Sequence, residues 1–118
     1  AFTTALADGE ILTAVEIPKP SSSVRWGYYK LCRKAGEFPI ASAAIVLDDG
    51  ECRAFLGALG DKPRPMPGLA DQIARIKVLP ATGILVDAVA EAAPEIDSID
   101  RRMFVTCVAR AVNQALNP

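Results

Sequence analysis

The sequence contains no histidine. That absence removes the commonest general base, the commonest zinc ligand and any Ser-His or Cys-His nucleophile pair. Cysteine is sparse and scattered. Cys32, Cys52 and Cys107 form no C-x-x-C pair, so neither a zinc ribbon nor an iron–sulfur site is encoded. Each lies in an apolar or alternating stretch, which predicts buried, reduced, space-filling thiols and fits a reducing cytoplasm. No apolar run is long enough to span a bilayer, no signal segment opens the chain, and no polybasic patch is present to attract a membrane. Neither G-x-G-x-x-G nor a P-loop can be drawn. Gly57 and Gly60 are followed by prolines rather than by a helix with free N–H groups, and read as glycines shaping a strand end.

What is present is a compact-domain composition. The chain has 118 residues, 51% hydrophobic and 23% charged, with a formal net charge of −1. A chain of this size hides roughly two-thirds of its unfolded surface, enough for one core. The charge balance argues against a nucleic-acid surface, even though Arg25, Lys30, Arg33 and Lys34 lie among aromatics. The carboxylates read as structural. Asp48-Asp49 is turn chemistry, and Glu91, Glu95, Asp97 and Asp100 flank a helix start.

The first half reads as strands. Residues 10–17 alternate imperfectly, with Ile11, Thr13, Val15 and Ile17 on one parity, and stop at Pro18. Residues 24–34 are rich in aromatic and β-branched types. Residues 40–47 and 51–59 flank Asp49-Gly50, a strong hairpin signal. Pro63, Pro65 and Pro67 make residues 60–68 a loop.

Helical spacing follows. Leu69, Ile73 and Ile76 mark a short helix, and Ile84, Leu85, Ala88, Val89 and Ala92 a second that ends before Pro94. Phe104, Cys107, Val108, Ala111, Val112 and Ala115 form the stripe of a third, capped by Asp97 or Ser98. The expectation is a single α+β domain over residues 1–118. An antiparallel sheet of three to four strands fills about residues 10–60, and three helices over about residues 67–116 pack on one face.

In residues 24–34, period two puts Trp26, Tyr28, Lys30 and Cys32 on one face and Arg25, Gly27, Tyr29, Leu31 and Arg33 on the other. A lysine in line with two aromatic rings either snorkels to solvent, with a cation–π contact on the way, or holds a positive charge at a cofactor or a domain interface.

The block Tyr28-Tyr29-Lys30-Leu31-Cys32-Arg33-Lys34-Ala35-Gly36-Glu37-Phe38-Pro39-Ile40-Ala41 resembles the Y-x-K-x-x-R-x-G-(D/E)-(F/Y)-x-(I/V)-A block of the flavoprotein (medium) subunits of molybdenum hydroxylases, with Ala35 as one extra residue. That family includes carbon monoxide dehydrogenase and xanthine dehydrogenase. Phe2-Thr3-Thr4-Ala5-Leu6 and residues 10–18 look like the entry to that subunit's C-terminal domain. Residues 55–60 followed by Pro63-Arg64 look like its glycine-rich stretch before proline–arginine. The last helix departs from the family, with Met103-Phe104 where a tyrosine–arginine pair is usual.

The resemblance implies a fragment of a longer FAD subunit whose N-terminal region binds FAD. Partner subunits or domains would carry iron–sulfur clusters and the molybdenum cofactor. It implies an electron-transfer role in a cytoplasmic oxidoreductase, no catalysis and no bound FAD for this chain alone, and a domain that packs against the flavin-binding region and helps enclose FAD. By position, Lys30 and Glu37 fall on the flavin side. The alternative expectation is an independent protein-interaction module without redox function.

Overall fold

The computed structural model describes residues 4–60 and 62–118. Phe2 and Thr3, part of the resemblance above, lie outside the described residues. The elements run β1 (Arg25–Leu31), β2 (Ala41–Asp48), β3 (Glu51–Gly57), β4 (Arg64–Pro65), α1 (Pro67–Ile76), α2 (Thr82–Ala92) and α3 (Ser98–Leu116). The four strands form one antiparallel sheet in sequence order. The α+β expectation, strands first and three helices after, is what the chain forms.

The β2–β3 hairpin turns at Asp49-Gly50, where φ is 47° and 92°. Two consecutive left-handed residues are what a two-residue type I′ turn requires, and Asp-Gly supplies them at low cost. Glycine carries the second of these without a steric penalty. β4 falls in the proline-rich stretch read as a loop. Its two residues pair with Phe55 and Leu56. Pro65 is tolerated because β4 is an edge strand, where a missing N–H breaks no inner ladder.

The predicted strand over residues 10–17 is not in the sheet. Residues 10–20 carry no regular structure, and every residue from 4 to 23 is exposed. Its alternation is real, but no strand of this sheet lies beside it to pair with.

Alternation decides the inner face of the sheet. Ala41, Ala43, Ile45 and Leu47 of β2 and Ala54 and Leu56 of β3 are buried. α3 lies over β1 and β2, α1 over β3, and α2 rests on α3. The stripe Phe104, Cys107, Val108, Ala111, Val112 and Ala115 is entirely buried, as its spacing predicts. Asp97 caps α3, its Oδ1 accepting the N–H groups of Ile99 and Asp100 at 2.8 Å each. α1 begins with Pro67 at its first position and stops at Lys77, a left-handed residue with φ 51°.

The thiols follow the expectation in part. All three are free, but only Cys107 is fully buried, whereas Cys32 and Cys52 are half-buried. Cys32 lies just past the end of β1, and Cys52 lies beside the turn of the β2–β3 hairpin, opposite Leu47. Desolvation raises the Cys107 thiol. Burial, helped by the charge of Asp71, pushes Cys52 up to about 11.

Candidate functional site

With the helices on one face, the other face of the sheet is open. β1 presents Trp26, Tyr28 and Lys30 there, and all three are exposed, Trp26 at 66% and Tyr28 at 45%. Strand pairing extends each into a row. Trp26 lies beside Val46 and Arg53, Tyr28 beside Ala44 and Phe55, and Lys30 beside Ser42 and Gly57. The face is therefore apolar and aromatic at its centre, with a cation at each end of the array.

The parity read from the sequence holds, and the structure assigns its direction. The aromatic side of β1 faces outward, and the side bearing Gly27, Tyr29 and Leu31 meets the helices. Gly27 was the signal available for this. A strand residue without a side chain marks a close approach of backbone, here α3. The ring that carries a cation is also not on the open face. Arg110 of α3 stacks on Tyr29 with its guanidinium carbon 4.7 Å from the ring centroid, and it donates to the Tyr29 hydroxyl.

Lys30 sits at the end of the sheet where two loops meet. One is the β1–β2 loop, folded back by hydrogen bonds from Glu37 N–H to Lys34 O (3.3 Å) and from Ile40 N–H to Leu31 O (2.8 Å). The other is the β3–β4 loop, which bends at Ala58 and Gly60, both at positive φ. A cleft opens between them, with Phe38 and Pro39 on one wall and Ala58, Leu59 and Pro63 on the other. Phe38 is 95% exposed at its rim.

Lys30 and Glu37, the two site residues read from the sequence, are thus brought to the same end of the sheet. Both are exposed, and no hydrogen bond or ion pair joins them among the described residues. Lys30, Arg33 and Lys34 outnumber Glu37 here, so this end is electropositive. Arg64 is turned away from it. It pairs with Glu95 at 2.6 Å and donates to Ala92 O at 3.3 Å, tying β4 to the end of α2. The Glu95 carboxyl is held below its ordinary value by a backbone hydrogen bond, with help from Arg64.

Ser42 is the residue that spacing did not single out. It lies between Lys30 and Gly57 on the outer face, yet is only 5% exposed. A Cβ at Gly57 would stand 2.5 Å from the Ser42 Oγ, so a side chain there would turn the serine hydroxyl aside. A small polar residue inside a β-branched run gave little to distinguish it.

No protein-family profile matches the chain. Its sequence is similar to the carbon monoxide dehydrogenase medium chain of Afipia carboxidovorans, 44% identical over 54 residues, which cover 44% of this chain and 19% of that protein. Its fold is similar to chains in solved carbon monoxide dehydrogenases. One is the cyanide-inactivated copper–molybdenum enzyme, with a TM-score of 0.71 at 28% identity. It covers 98% of this chain and 44% of that one. Another is the reconstituted enzyme from Oligotropha carboxidovorans, with a TM-score of 0.70 at 27% identity and the same coverage. Quinoline 2-oxidoreductase from Pseudomonas putida 86 shares the fold at 16% identity and a TM-score of 0.58. The chain thus spans less than half the length of the solved relatives it matches. These findings bear out the resemblance read from the sequence. The chain is similar to the C-terminal domain of the FAD-binding subunit of molybdenum hydroxylases.

Proposed function

We propose that this chain is the C-terminal domain of the FAD-carrying electron-transfer subunit of a molybdopterin-dependent hydroxylase. In this reading it packs its open sheet face and its loop end against the flavin-binding region of the same subunit and helps enclose FAD. It performs no catalysis alone. Iron–sulfur and molybdenum subunits are the further partners, and the assembly works in the cytoplasm. The observation that carries the reading is the open face itself. A sheet that buries one side under three helices leaves aromatic rings and a lysine on the other, within a fold similar to carbon monoxide dehydrogenase chains over 98% of its length.

The residues fit one side of a flavin ring. Trp26, Tyr28 and Phe55 share the open face and offer aromatic, apolar area to a neighbour, and Lys30 adds a positive charge at its end. They offer nothing comparable to a phosphate pair, which leaves that task to the flavin-binding region. FAD, when bound, supplies the redox centre. The role of Lys30 is electrostatic. Its ammonium favours negative charge on a neighbouring ring and draws anionic groups toward the electropositive end. Glu37, in the loop beside it, moderates that charge and helps orient the loop against the neighbour.

Purified chain mixed with FAD tests this reading. The expected result is no tight stoichiometric binding by the 118-residue chain, while the full subunit retains FAD through gel filtration. Tight binding by the chain alone, or a full subunit free of flavin, would contradict the assignment.

A further inference from the structure

Residues 4–23 form an arm in which no residue is buried. Such an arm is ordinarily polar and rich in glycine and serine. This one carries Ile11, Val15 and Ile17, exposed at 82%, 71% and 82%, and Leu12 at 66%. Its period is that of a strand. Ile11, Thr13, Val15 and Ile17 share one side, and Glu10, Leu12, Ala14 and Glu16 share the other. Pro18 and Pro20 end the pattern, and the Ser21 hydroxyl fastens the root of the arm to Asp48 Oδ1 at 3.3 Å, beside the β2–β3 turn. The arm stretches the molecule. The radius of gyration is 15.8 Å, against about 13.5 Å for a compact domain of this length.

Both edges of this domain's own sheet are poor hosts for that strand. Along its β1 edge, the Tyr28 N–H already donates to Gln114 Oε1 at 3.0 Å, and the Arg25 guanidinium reaches across to Leu116 O at 3.4 Å, so the end of α3 lies across part of the edge. Its other edge, β4, has two residues. One of them is Pro65, and Pro63 and Pro67 flank the strand. Partly covered or proline-bearing edges of this kind discourage pairing with a further strand. A second copy of the chain offers the same two edges. Arm against arm would make only an isolated two-stranded ribbon, which is marginal in water.

We infer that residues 10–17 are a β-strand donated to an open sheet edge of the flavin-binding region. The inference rests on the proposed function, which supplies that region as the neighbour. The backbone of the strand extends the neighbour's ladder, and Ile11, Val15 and Ile17 close onto its core. Eight extended residues reach about 27 Å, and the six residue steps from the start of β1 to the end bearing Lys30 cover about 20 Å. One folded neighbour can therefore hold the arm and lie over the open face together.

Amide hydrogen exchange followed by mass spectrometry tests the inference on the 118-residue chain and on the full flavin-loaded subunit. In the chain alone, the amides of residues 11–17 exchange at the rate of unstructured peptide. In the full subunit they slow by more than about 100-fold. Unstructured rates in a subunit that does retain flavin overturn the donated strand and leave the functional reading intact. A subunit that retains no flavin overturns the functional reading and the named host together. Protection in the chain alone that grows with concentration overturns the inference in favour of a second copy. Val15→Pro adds an independent arm. It leaves the thermal midpoint of the chain unchanged and lowers that of the full subunit. A drop in the chain itself would mean that the arm packs on its own domain.

Discussion

Gly27 of β1 lies directly against the carbonyl of Ala111 in α3. A Cβ at Gly27 would collide with that oxygen and stand 2.9 Å from Ala115 N. The obstacle is helix backbone, which cannot swing aside as a flexible side chain can. Gly27→Ala therefore forces α3 off β1, and overpacking of this kind costs about 3 kcal/mol or more. The urea midpoint of the variant reports it. An unchanged midpoint would mean that α3 sits farther from the sheet.

The Asp97 cap has a smaller and separable effect. Its carboxylate accepts two N–H groups that α3 otherwise leaves without partners. Asp97→Ala is expected to cost about 1 kcal/mol, and Asp97→Asn much less, because asparagine caps nearly as well. Thermal unfolding of the two variants side by side distinguishes a cap from a simple surface charge.

Cys52 links stability to alkaline pH. Burial, and then Asp71, raise its thiol from 9.0 to about 11 in the folded chain. Between these values the unfolded chain loses its proton first, so the folded state holds more protons and stability falls as pH rises. The contribution is fully present below pH 9.0. Cys52→Ala should flatten the stability profile between there and about pH 11. An equally steep fall in the variant would assign the loss to other groups.

Trp26 is the only tryptophan in the chain and stands 66% exposed on the open face. Its fluorescence is a direct reporter of what covers that face. In the isolated chain, acrylamide should quench it readily. In the full subunit, quenching should weaken and the emission should shift to the blue, or fall if a flavin ring lies beside it. Equal quenching in both would show that the face stays open to water.

Much of the fold was legible because local chemistry and tertiary packing agree. Asp49-Gly50 needs a hairpin whichever partner is present, and the stripe from Phe104 to Ala115 needs one covered face. The remainder depended on neighbours. β4 is only two residues long and rich in proline, so its pairing follows from β3 rather than from its own propensity. Residues 10–17 have a strand's pattern without a strand's partner, and a sequence records only the pattern. At the site, period two grouped Trp26, Tyr28 and Lys30 correctly. Which side the helices take was written in Gly27, a residue whose meaning appears only when α3 is in place. Ser42 went unnoticed because its place between Lys30 and Gly57, on two other strands, appears only in the register of the sheet.

The central claim is that Lys30 places its charge beside the flavin of the parent subunit, and the midpoint potential of that flavin tests it most directly. An ammonium close to the ring stabilises the reduced, more negative form, so Lys30→Ala should lower the potential. The expected shift is on the order of 30 mV, equivalent to about 1.4 kcal/mol for a two-electron couple. Lys30→Arg, which keeps the charge, should recover most of it. A potential identical in wild type, Lys30→Ala and Lys30→Arg would contradict the account and return Lys30 to the solvated surface.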